Sequence, residues 1–135
     1  MAEILIVAEQ FDGGLHPVVG ELVAAGQNLD GDRALVLLGA DLSEISNIVT
    51  SMDVDKVYVV EHDLFAQGTF EDLWVAALEQ VCRQIDPSVV LIGRTLLGRD
   101  VGPRLAYRLG VGVAQDCIGL KQEEDSGRIV VTRPV

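Results

Sequence analysis

At 135 residues, 49% of them apolar, the chain has the length of one domain and enough hydrophobic material for a real core. Its formal net charge of −11, from 21 acidic and 10 basic residues, repels nucleic acid and anionic lipid and favours a partner with a basic face. No apolar run approaches the ~20 residues of a bilayer span, and the opening MAEILIVAEQ has no basic n-region, so the expectation is a soluble cytoplasmic protein without membrane insertion.

In chain order, EILIVAE (residues 3–9) is a continuous apolar run, the pattern of a strand buried on both faces. FDGGLHP follows, and its Asp12-Gly13-Gly14 reads as a plain turn rather than a nucleotide loop. A helix fits His16 to Asn28, with Val19, Leu22, Val23 and Gly26 on one face; His16, ahead of Pro17, reads as a capping or surface residue. Ala34–Gly39 is a second strand. The spacing of Leu42, Ile45, Val49 and Met52 predicts a short amphipathic helix, on which Ser43 and Ser46 have no base nearby. Lys56–Glu61 is a third strand. Glu9 and Glu61 end the first and third strands, where a pair of acids can serve chemistry, although solvated strand ends are the commoner outcome. His62 reads as solvated in the loop EHDLF.

Phe70 to Ile85 is the clearest helix, with Trp74, Leu78, Val81 and Ile85 as its core stripe, and Pro87 stops it. Ser88–Gly93 is a fourth strand, and a fourth helix fits Asp100 to Leu109, with Asp100 as N-cap and Pro103 in the first turn. GVGVAQ (residues 110–115) contains G-x-G but closes a helix instead of opening one, so it is no dinucleotide fingerprint. Val113–Leu120 and Arg128–Val135 flank KQEEDSG and predict an antiparallel hairpin. Ending straight after a strand is the pattern expected of a piece of a longer protein. Cys82, on the helix stripe, and Cys117, in the strand-like run, read as reduced core thiols; with His16 and His62 they form no metal-ligand set. Four apolar strands alternating with helices imply a parallel sheet covered on both faces.

The segment LIGRTLLGRDVGPRLAYRL (residues 91–109) carries the candidate site. Ligands of open α/β sheets collect at strand carboxyl ends, glycines let backbone N–H groups approach an anion, and a helix N-terminus adds partial positive charge. Gly93, Arg94, Thr95, Gly98 and Arg99 are therefore the phosphate-facing candidates. Arg99 and Asp100 stand where a P-loop needs Lys and Ser or Thr, which excludes an NTPase of that type. Two readings stay open: a corner that holds a nucleotide phosphate, and a corner that only shapes the fold, its arginines pairing with surplus carboxylates. No nucleophile, base and orienter come together, so catalysis by this chain alone is not expected.

Four segments, in order, resemble the N-terminal domain of the electron transfer flavoprotein alpha subunit: residues 4–29, DVDKVYVVEHD (53–63), residues 91–120 with GRD, PRLA and DCIGL, and GRIVVTRPV (127–135). The resemblance implies a Rossmann-like three-layer α/β sandwich of the nucleotide α-hydrolase and universal-stress-protein type, mostly parallel, with a C-terminal antiparallel hairpin. It implies that residues 1–135 are one domain of a subunit that pairs with a beta subunit. It places FAD mainly in a C-terminal domain absent from this chain, so no cofactor is expected on these residues, and it implies dehydrogenases and an acceptor oxidoreductase as partners of the complete heterodimer. The alternative is a stand-alone AMP- or ATP-binding module of the universal-stress-protein kind.

Overall fold

A computed structural model describes residues 2–67 and 71–134. Its strands are β1 (Glu3–Val7), β2 (Gln10–Phe11), β3 (Gly14–Leu15), β4 (Asp32–Gly39), β5 (Lys56–Glu61), β6 (Val89–Leu91), β7 (Gly119–Gln122) and β8 (Ile129–Thr132). The helices are α1 (Val18–Gly26), α2 (Ser43–Val49), α3 (Glu71–Ile85) and α4 (Leu96–Leu109), with a 3-10 turn at Asp63–Gln67. Phe70, predicted to open the third helix, lies outside the described residues.

Four strands form a parallel sheet in the order β5-β4-β1-β6. The apolar runs of β1 and β4 are continuous because both of their faces are covered. Successive side chains alternate between layers: Ile4, Ile6, Leu35 and Leu37 pack with Val19 and Val23 of α1 and Ile45 and Val49 of α2. Leu5, Val7, Val36 and Leu38 pack instead with Trp74, Val75 and Leu78 of α3 and Val101 and Leu105 of α4. The result is the expected α/β three-layer arrangement, with the hairpin β7–β8 pairing antiparallel beside it. Trp74 is core, as the helix stripe requires.

Local details follow from residue chemistry. Asp12 and Gly13 both adopt positive φ, 52° and 79°, so the FDGGL turn is a two-residue hairpin joining β2 to β3. His16 Nδ1 accepts from the Val18 N–H at 3.0 Å and caps α1. His62 Nδ1 does the same for Leu64 at 3.1 Å, ahead of the 3-10 turn. At the opposite end of the sheet the buried Glu3 carboxylate accepts from Lys56 Nζ and from the Tyr58 hydroxyl, 2.8 and 2.7 Å from its two oxygens, tying the starts of β1 and β5 together across β4. These bonds hold the Glu3 carboxyl below its ordinary pKa and the Lys56 and Tyr58 groups above theirs.

Two expectations need correction. The fourth helix starts at Leu96, one turn before Asp100, because the Thr95 side chain caps it by accepting from the Gly98 N–H at 3.0 Å. Asp100 is thus inside the helix, and so is Pro103, which leaves the Arg99 carbonyl without its usual intrahelical donor. The strand expected over Val113–Leu120 begins only at Gly119; Val113 to Ile118 run as irregular backbone, and Cys117 precedes the strand instead of lying in it.

Candidate functional site

The helices α1 and α2 lie on one face of the sheet and α3 and α4 on the other, so the strand order reverses between β1 and β6. That reversal is where an open α/β sheet offers a crevice, and the corner from β6 into α4 forms one of its walls. All five predicted residues sit at this corner. Gly93 follows β6 and is buried against Val18, whose methyls lie 2.6 and 2.8 Å from where a Cβ would stand. Thr95 donates its N–H to the Gly93 carbonyl at 2.9 Å and accepts from Gly98, closing the turn on itself. Gly98 is buried, and a Cβ there would stand 1.9 Å from the Gly93 oxygen. Gly98 is therefore required by backbone approach, the first turn of α4 resting directly on the end of β6, whereas a side chain at Gly93 would meet the Val18 side chain.

The arginines differ. Arg94 pairs with Asp116 at 2.5 Å across to the segment before β7. Arg104 bridges Asp100, at 3.0 Å, and Asp72 of α3. Arg108 reaches Glu79, 3.2 Å away, and Arg83 donates to the Arg108 carbonyl at 3.0 Å, so α3 and α4 are clasped by charge along one side. Arg99 is exposed and makes no ion pair or side-chain hydrogen bond among the described residues.

The crevice itself is nearly closed. Between Val7, Glu9, Trp74, Gly93, Leu97 and Val101 it encloses about 10 Å3, at the lower edge of the ~10–15 Å3 that one water needs. A flavin or an adenylate does not fit in that space, whereas Gly93, Arg94, Gly98 and Arg99 also line an open gap of about 1420 Å3 between β6 and the β7–β8 hairpin. Glu9 and Glu61 are not brought together: β4 separates their strands, roughly 9–10 Å at ordinary strand spacing. The Glu61 carboxylate is engaged in capping, accepting from the Leu42 N–H at 2.9 Å. Ser43 bonds Asp41 and Ser46 bonds the Leu42 carbonyl, so neither is poised as a nucleophile. Burial pushes the Cys82 thiol up to about 11, which leaves it unreactive at neutral pH. Among the described residues no cluster of three or more His, Cys, Asp or Glu could hold a metal ion, and no helix is long and apolar enough to cross a membrane.

The sequence reading missed the Glu3–Lys56–Tyr58 cluster and the Arg83–Glu79–Arg108 clasp. The Glu3 cluster and the contacts of Arg108 with Glu79 and Arg83 depend on parallel register or helix packing, which local spacing does not encode, whereas the Glu79–Arg83 pair is at i,i+4 on α3 and was readable. Thr95 as cap was readable from its place three residues before Gly98 in a strand-to-helix loop.

Comparison with known proteins places this corner in a family context. Residues 4–135 match the electron transfer flavoprotein domain. The electron transfer flavoprotein subunit alpha of Thermoanaerobacterium thermosaccharolyticum is 35% identical over 136 residues, covering 98% of this chain and 41% of the relative. The corresponding subunit of Bacillus subtilis is 31% identical over 135 residues, with 98% and 41% covered. The acryloyl-CoA reductase electron transfer subunit beta of Anaerotignum propionicum is 35% identical over 122 residues, 87% of this chain and 33% of that protein. The chain thus spans about two fifths of the length of the alpha subunits it matches. With the α/β fold and the match over residues 4–135, the chain belongs to the electron transfer flavoprotein domain family.

Proposed function

We propose that this chain is the N-terminal scaffold and interface domain of an electron transfer flavoprotein alpha subunit. It supports electron transfer from dehydrogenases to an acceptor oxidoreductase by a heterodimer with a beta subunit. The observation that carries this reading is the match to alpha subunits over nearly the whole chain but only about two fifths of theirs. FAD, whose isoalloxazine carries the electrons in such a protein, sits mainly on polypeptide outside these residues. The close packing at Gly93 and Gly98 and the self-closed Thr95 turn favour a corner that shapes the fold over one that cradles a phosphate.

The role of this domain is then to present surface. An interface of ~1,600 Å2 at ~25 cal/mol per Å2 has ample gross driving force before association costs are subtracted. Sedimentation velocity of the chain mixed with its cognate beta subunit tests the reading. A complex at tens of micromolar (about 6–7 kcal/mol of association) is expected; two unassociated species at that concentration contradict an interface domain.

A further inference from the structure

The strand β5 closes the parallel sheet on the side away from β6 and has no strand on its outer edge among the described residues. Its register on β4 fixes which backbone groups are free. The His62 N–H donates to the Gly39 carbonyl at 3.0 Å, and Gly39 stands opposite Glu61. The residues of β5 that bond to β4 are therefore Lys56, Tyr58 and Val60, in step with His62. The N–H and C=O groups of Val57, Val59 and Glu61 point outward, away from the sheet.

Edge strands are usually guarded by a charged side chain, a proline or a bulge. The six residues of β5 pair with β4 in unbroken register and include no proline. Both of its charged side chains are turned inward. Lys56 Nζ reaches back across β4 to Glu3 of β1, and the Glu61 carboxylate accepts from the Leu42 N–H at 2.9 Å. What remains along the edge is apolar. Val57 and Val59, opposite the core residues Leu35 and Leu37, are 36% and 52% exposed.

The ends of the strand are acidic. Asp55 precedes it, and Glu61 and Asp63 follow its apolar centre, all three exposed. The cations nearby are already spent, Lys56 on Glu3 and Arg33 on Asp53. The complement of this edge is an extended segment with alternate apolar side chains at its centre and Lys or Arg at both ends. A second copy of this chain, itself at −11, would bring like charges together instead.

We propose that β5 is a docking edge for a basic-flanked extended segment of a partner polypeptide, which adds a strand to the sheet through the backbone of Val57 and Val59. This edge is independent of the alpha-subunit reading and stands or falls without it.

The test uses the purified chain and a fluorescently labelled synthetic peptide, Lys-Arg-Thr-Val-Thr-Val-Thr-Arg-Lys. Anisotropy is expected to show saturable binding below millimolar peptide, weakened about tenfold or more when Glu and Asp replace the basic ends, and weakened by salt. At saturation, amide exchange of Val57 and Val59 should slow by about tenfold, while Tyr58 and Val60, already bonded to β4, exchange as before. Val59→Pro removes only an outward N–H, so it should preserve the cooperative melt and weaken binding by about tenfold or more. Val59→Lys, a change at a half-exposed side chain that keeps the backbone donor, should weaken the basic peptide as well, and it reads the same edge if the proline variant does not fold.

Equal binding of the basic-ended and acidic-ended peptides overturns the proposal. So does binding unchanged in the folded variants, binding without slowed exchange at Val57 and Val59, or no binding at millimolar peptide. Slow Val59 exchange in the chain alone, together with a dimer in sedimentation, also overturns it, because a second copy then covers the edge.

Discussion

Gly98 shows at the scale of one residue why the corner has its composition. The helix axis of α4 approaches β6 so closely that one methyl group at this position meets the Gly93 carbonyl. Gly98→Ala is expected to cost about 1–3 kcal/mol in urea denaturation, because the clash is with backbone that no rotamer change relieves. Thr95→Ala should cost about 1 kcal/mol through the lost cap, whereas Arg99→Ala should stay within about 0.5 kcal/mol, since its side chain touches no charged partner among the described residues. That ordering separates packing from ligand binding: a phosphate cradle would make Arg99 the sensitive residue in the presence of ligand. The thiols divide in the same way. One equivalent of thiol reagent is expected to react with the native chain near pH 8, at Cys117, and a second only after denaturation, because burial holds the Cys82 thiolate out of reach.

Parallel strands joined by helices are legible from continuous apolar runs, and the predicted limits of β5 coincide with those observed, Lys56–Glu61. The start of α4 was not legible in the same way. Asp100 and Pro103 together imitate a helix N-terminus, but the Thr95 cap acts one turn earlier and the proline is accommodated in the helix interior. The element-level contact that no local pattern predicts is the Glu3 cluster, which fixes how β5 starts relative to β1. Its pH dependence has a definite sign. The Glu3 pKa is lowered on folding, so its contribution is present above the unfolded carboxyl value of 4.5 and is lost as pH falls through the folded value. Lys56 and Tyr58 are raised, so theirs are present below 10.5 and 10.0 respectively and are lost as pH rises through the folded values. Melting temperature should therefore form a plateau between these limits. Glu3→Gln should flatten both edges, because it removes the charge that each partner senses; unchanged edges in that variant would show that the cluster does not govern them.

At the scale of the molecule, the proposed interface role rests on charge and apolar exposure. The net charge of −11 is spread over a surface that still exposes Leu96 and Tyr107 at 88% each, on one side of α4, besides the hydrophobics beside β6. The sequence revealed the layers and the corner because both depend on short-range pattern. It did not reveal the gap between β6 and the hairpin, because this depends on where the hairpin stands relative to strands far away in the chain. The central claim is that the Gly93–Arg99 corner supports the fold and holds no nucleotide. Calorimetric titration of AMP, ATP and FAD into the purified chain tests it most directly. The account predicts no saturable heat up to millimolar ligand and a colourless protein; stoichiometric binding that Arg99→Ala abolishes would contradict it.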